Sequence, residues 1–141
     1  MSMEMTRAAD YGLRAMVYLS HRGSGRSVFI GEIAEAMGIP AQFLHKVMPR
    51  LVKVGFLHSR RGARGGYKLA RQLEDIKVLD IIEAIDGPII INRCLIGSSD
   101  CERMGMCSIQ EICKQAQQAV TQKFGEFTLA DVVRMEEELQ G

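Results

Sequence analysis

The chain has 141 residues, 47% of them hydrophobic and 25% charged, and a formal net charge of +1. That length can bury a core without staples and suggests one domain, or one domain with an extension. No run approaches the roughly 18 consecutive apolar residues of a membrane span. Met1 to Arg7 also lacks the apolar stretch of a secretory signal. The expected compartment is therefore the cytosol, where four cysteines point to metal or redox chemistry before disulfides.

Tyr11 to Leu19 places Tyr11, Ala15, Val17, Tyr18 and Leu19 at helical spacing around Arg14, which predicts an amphipathic helix. The stretch from His21 to Gly25 is a loop by composition. A second helix is predicted over Ile30 to Met37, with Gly38 as its stop. Pro40 suits the first position of a third helix, where its missing N–H costs nothing. That helix gathers Phe43, Leu44, Val47, Leu51 and Val54 on one face. Pro49 should kink it or cut it short.

Phe56 to His58 and Tyr67 to Leu69 are β-like runs. Between them lies an arginine- and glycine-rich hairpin, Arg60 to Gly66, whose glycines are free to take positive φ. Val78 to Ile85 is a further helix, ended by Asp86, Gly87 and Pro88. Asn92 to Cys107 has no period and is expected to be a loop. Ser108 to Glu111 fits a capping box. The long helix after it carries Ile109, Ile112, Cys113, Ala116, Ala119, Val120 and Phe124 along one stripe. Thr128 to Asp131 repeats the capping pattern before a final helix, and Glu136 to Glu138 is expected to be a solvated end.

The near-neutral total hides an asymmetry. Residues 1–77 hold 13 basic and 6 acidic residues, and residues 78–141 hold 5 and 11. No acid lies between Glu35 and Glu74, whereas Lys46, Arg50, Lys53, Arg60, Arg61, Arg64, Lys68 and Arg71 all do. A basic half of this kind suits nucleic acid. Helix two, the Gly38 turn and helix three fit a helix-turn-helix. This arrangement leaves Gln42, His45 and Lys46 facing out near the start of the helix that would enter the major groove. Gln and Lys are suited to adenine and guanine edges. The hairpin forms a wing whose Arg60, Arg61 and Arg64 can reach phosphate or a narrow minor groove.

Three segments together resemble the Rrf2 family of bacterial transcription regulators over nearly the whole chain: Asp10 to Ala15, the helix-turn-helix, and the wing from Arg61 to Ala70. The wing is the most specific of the three. The resemblance implies a mainly α fold with a small β wing, a winged helix-turn-helix followed by a long C-terminal dimerisation helix. It also implies a homodimer on a near-palindromic double-stranded operator, with DNA contacts from Gln42, His45 and Arg61. On this reading residues 1–77 bind DNA, and residues 78–141 carry a cluster-binding loop and the dimerisation helices.

Cys94, Cys101 and Cys107 are separated by six and then five residues, wider than a structural zinc pair or a ferredoxin run. Their setting is more informative than their spacing. They share one loop, the last stands just before a helix whose positive end favours an anionic centre, and Arg93 and Arg103 lie nearby. The resemblance implies that these three cysteines ligate a two-iron or four-iron iron–sulfur cluster. In the family's IscR-like branch the fourth ligand is a histidine at the position of Gln110. In its NsrR-like branch an aspartate matching Asp10 ligates from the other subunit. The first helix is NsrR-like, so Asp10 is the candidate here, against a capping or salt-bridging role on its own helix. Cys113 lies on the apolar stripe and reads better as a small buried hydrophobe, and His21 and His58 as loop and strand-edge residues.

The reading is a repressor whose operator binding is switched by a cluster sensing nitric oxide, redox state or iron supply. Two alternatives stand beside it. One is a cluster-free family member that senses a metabolite, a partner or thiol oxidation. The other is an iron–sulfur or zinc carrier whose basic wing binds protein. No nucleophile–base pair, phosphate loop or acid pair points to an enzyme.

Overall fold

The computed structural model describes residues 4–23, 25–62, 65–92, 95 and 106–141. Within them the order is α1 (Arg7–Arg22), α2 (Ile30–Met37), α3 (Ala41–Lys53), β1 (Leu57–Arg60), β2 (Gly66–Leu69), α4 (Val78–Asp86), α5 (Ser108–Gly125) and α6 (Leu129–Gln140). Helix α1 is longer at both ends than its apolar period. Thr6 caps it by accepting the Ala9 N–H at 3.1 Å, and Gly23 ends it at φ +86°. His21 and Arg22 therefore belong to its last turn and not to a loop.

The helix-turn-helix is built as its residues dictate. Gly38 sits in the left-handed region at φ +65° and returns its N–H to the Ala34 carbonyl, which stops α2. Pro40 is the N-cap of α3, one residue ahead of the expected position. The helix runs on through Pro49 to Lys53 and is not cut short. Pro49 and His45 are both exposed, so the carbonyl that loses its donor lies on the wet side of the helix. Leu44, Val47, Met48 and Leu51 form its buried face. Val54 falls outside that face, at the exposed C-cap.

In the wing, β1 and β2 pair antiparallel, from Leu57 opposite Leu69 to Arg60 opposite Gly66. Val28 exchanges two 2.8 Å backbone hydrogen bonds with Tyr67, which ties the hairpin to the chain just before α2. Two of the three wing glycines, Gly65 and Gly66, are sterically required. A Cβ on Gly65 would lie 2.2 Å from the Arg60 carbonyl oxygen, and one on Gly66 2.5 Å from that of Val28.

Helices α4 and α6 share the core with α1. Ile81 and Ile85 of α4 and Leu129 of α6 are buried in one cluster with Ala15, Met16 and Leu19 of α1. The segments ahead of α4 and α6 are joined by hydrogen bonds of 2.9 Å, from Val78 N to Phe127 O and from Leu129 N to Ile76 O. Thr128 and Asp131 form the expected capping box. The Thr128 backbone N–H, and then the Arg134 guanidinium, hold the Asp131 carboxyl below its ordinary pKa. The acidic end of α6 is not wholly solvated: Glu136 meets the His21 ring at 2.6 Å and joins α6 to α1.

The tightest junction is at Gly12. A Cβ there would lie 2.2 Å from Ile85 Cδ1 of α4 and 3.0 Å from Val47 Cγ1 of α3. Gly12→Ala is therefore expected to destabilise the fold by about 1–3 kcal/mol through overpacking. A lowered urea midpoint would register the change, and an unchanged midpoint would contradict the packing described.

Candidate nucleic-acid interface and cysteine loop

Burial of Leu44 and Val47 fixes which side of α3 faces out. Gln42, His45 and Lys46 all lie on that exposed side, in the N-terminal half of the helix. Arg60 and Arg61 are exposed as well. Arg60 is the last residue of β1, paired with Gly66, so it stands on the ladder and not at the tip. Arg64 lies outside the described residues. Sequence reading missed what holds α2 in place. The Tyr18 hydroxyl donates to Glu32 at 2.5 Å, and Arg22 and Arg26 approach the same pair at 2.9 Å and 3.2 Å. The available signal was Glu32, the one acid placed to answer two arginines around the start of α2.

At the cysteine loop the capping assignment changes. Cys107, not Ser108, is the N-cap of α5, and no side chain caps it. The Cys107 carbonyl accepts the Glu111 N–H at 3.3 Å, so the helix starts one residue sooner than a Ser-led box allows. Cys107 is half-buried and its thiol is free. Cys94 and Cys101, with Arg93 and Arg103, lie outside the described residues. Cys113 is half-buried against Asn92, whose Nδ2 lies 3.9 Å from its Sγ. On α1, Asp10 receives a hydrogen bond from Arg14 Nε at 3.2 Å and remains partly exposed.

The single apolar stripe expected on α5 is in fact two faces. Cys113, Gln117, Val120 and Phe124 turn toward the chain itself, where Gln117 Oε1 accepts the Ile91 N–H at 3.0 Å. Ile109 and Ile112 point away, 57% and 60% exposed, with Met106 ahead of them at 85%. Ala116 and Ala119 continue this outer face. Their alternating three- and four-residue spacing is that of a helix–helix seam, and the two alanines permit close approach. Between α4, α5 and residues 88–92 is a cleft of about 570 Å³, walled by Ile82, Pro88, Ile89, Val120 and Phe124.

The Rrf2 family model, described as an iron-dependent transcriptional regulator, matches residues 5–135. The chain belongs to the Rrf2 family of transcriptional regulators. Among curated relatives, the Rrf2 protein of Nitratidesulfovibrio vulgaris is 36% identical, covering 94% of this chain and 88% of its own. An HTH-type transcriptional regulator of Mycobacterium tuberculosis is also 36% identical, covering 92% and 81%. Among solved structures, IscR of T. potens superposes with a TM-score of 0.80 at 28% identity, covering 98% of this chain and 91% of its own. CymR, the global cysteine regulator of B. subtilis, gives 0.78 at 26%, covering 94% and 97%. As an Rrf2 regulator, the protein is a DNA-binding winged-helix transcription factor, and no described helix is long and apolar enough to cross a membrane.

The two kinds of DNA contact expected of these residues are separable by salt. Arg61→Ala is expected to flatten the log–log salt dependence of DNA binding by about one unit, the mark of a lost phosphate contact. Gln42→Ala should leave that slope unchanged and weaken a selected sequence by about 1–3 kcal/mol. Fluorescence anisotropy titrations at several salt concentrations would read both.

Proposed function

We propose that this Rrf2 regulator is a cytoplasmic homodimer that represses transcription and whose operator binding is set by an iron–sulfur cluster. The observation that carries this reading is the place of Cys107. It stands at the N-cap of α5, directly ahead of the exposed Ile109 and Ile112. Cys94, Cys101 and Cys107 are assigned as ligands, with Asp10 of the partner subunit as the fourth. The donor set suits the group. Three thiols are soft ligands for iron, Cys107 is half-buried and free, and a helix start is the favourable end for an anionic centre. When bound, the cluster supplies an iron site open to nitric oxide, oxidant or iron loss, because its fourth ligand is a weak oxygen.

The chain's own residues do the rest. Thiolates held at 94, 101 and 107 tie the loop to the head of α5. Once released, that head still has the Cys113, Gln117, Val120 and Phe124 face of its helix turned toward its own chain. The Ile109 and Ile112 seam carries any shift to the second copy, and so to the spacing of the two α3 helices. Half-sites lie about 34–36 Å apart, so a small rotation suffices. Gln42, His45 and Lys46 are assigned to base edges, and Arg60, Arg61 and Arg64 to the backbone or minor groove. Nitric oxide is the favoured signal, because Asp10 to Ala15 is NsrR-like and Gln110 occupies the position of the IscR-like histidine.

The cleft beside α5 supports a second reading, in which a small molecule lodged there is the signal and no cluster forms. Under it, Cys107→Ser leaves regulation intact.

Protein purified without oxygen is expected to show charge-transfer absorption in the visible, matching iron and sulfide contents, and loss of both in Cys101→Ser. Colourless, iron-free protein after reconstitution would overturn the cluster assignment. Pairing is tested separately: Ile112→Glu is expected to convert a sedimenting dimer to monomer, and a dimer that survives it would place the interface elsewhere.

A further inference from the structure

The last turn of α3 holds a contact that the DNA-facing residues do not explain. Arg50 Nη1 donates to the Ile85 carbonyl oxygen of α4 at 2.7 Å. That oxygen is one of the terminal carbonyls a helix leaves without an internal donor. Gly87 returns its N–H to Glu83 instead, at 2.9 Å, and a guanidinium suits the negative end of a helix. The same end of α4 is gripped on two more sides. Thr6 Oγ1 donates to Asp86 Oδ1 at 2.6 Å, and the Ile85 side chain fills the space over Gly12 beside Val47.

We infer that Arg50 is a positioning residue for sequence-specific DNA recognition, setting the tilt of α3 by capping the C-terminal end of α4. The inference rests on the assignment of α3 as the recognition helix. Gln42 stands eight residues back along α3, about 12 Å along the axis. A tilt of about 5° pivoting near Arg50 moves Gln42 by about 1 Å, enough to spoil hydrogen bonds that tolerate only a few tenths of an ångström. Arg50 thus acts on base reading through geometry, whereas an arginine on phosphate acts through charge. Because residues 87–92 follow α4 directly in the chain, this joint is also where a movement of that segment meets α3.

The experiment starts with wild-type protein selecting duplexes from a random-sequence pool. If no sequence is enriched, recognition by α3 fails, whatever Arg50 does. With a selected operator in hand, Arg50→Met is compared with wild type on that operator and on a scrambled duplex across a salt series. The expected result has four parts: at least tenfold weaker operator binding, unchanged binding to the scrambled duplex, an unchanged salt slope on both, and recovery of most of the loss by Arg50→Lys. A slope flattened by about 0.9 would make Arg50 a phosphate contact. Equal losses on both duplexes would make its role merely structural, and unchanged operator binding would give it no role. Any of these three overturns the inference. If Arg50→Met lacks the wild-type far-ultraviolet spectrum, Arg50→Gln is judged by the same readings.

Discussion

At Gly12 the backbone of α1 comes so close to Ile85 of α4 and Val47 of α3 that a single methyl group has no room. The core around the helix-turn-helix is arranged around this contact. It sets α3 against α1, and so decides that Gln42, His45 and Lys46 face outward while Leu44, Val47, Met48 and Leu51 face in. It also brings the end of α4 within reach of Arg50 and Thr6. Close-packed interiors transmit displacement and do not absorb it, so α3 and α4 behave as one body at this point. The wing is attached to that body through Val28 and Tyr67, and two glycines with no space for a side chain fix its path.

The C-terminal half is built on a different economy. Among the described residues of α5, none is buried, although the helix has 18 residues. It holds to its own chain through one half-buried face and leaves Ile109 and Ile112 in water. Burying apolar area of this kind is worth roughly 25 cal/mol per Å², the drive for the pairing proposed above. Cys107 stands at the N-cap of this helix, two residues ahead of Ile109 in the chain.

Much of this was legible in the sequence. The α2–Gly38–α3 turn followed from a left-handed glycine after an apolar period, the hairpin from alternating runs around glycines, and the Thr128 to Asp131 cap from its spacing. The failures have physical causes. Period alone marks where a helix is amphipathic, not where its backbone bonds end, so Thr6 and His21 fell outside the predicted α1. Pro49 was given too much weight, because the cost of its lost bond depends on whether the freed carbonyl meets water. The Ser108 box failed because a cap is set by which carbonyl accepts the first helical bond. The α5 stripe was read as one face because neighbouring rows at i+3 and i+4 are indistinguishable until something packs against one of them. Arg50 left no trace beyond its charge, since its partner is a backbone carbonyl 35 residues away in sequence.

The claim that joins the two halves is that the state of the cysteine loop changes how tightly α3 holds its operator. The most direct test is to measure operator affinity for the iron-loaded and the iron-stripped protein at one salt concentration. The account predicts affinities that differ by about 5–150-fold, the range of typical allosteric coupling, and a difference that vanishes in Cys107→Ser. Equal affinities for the two forms would contradict it.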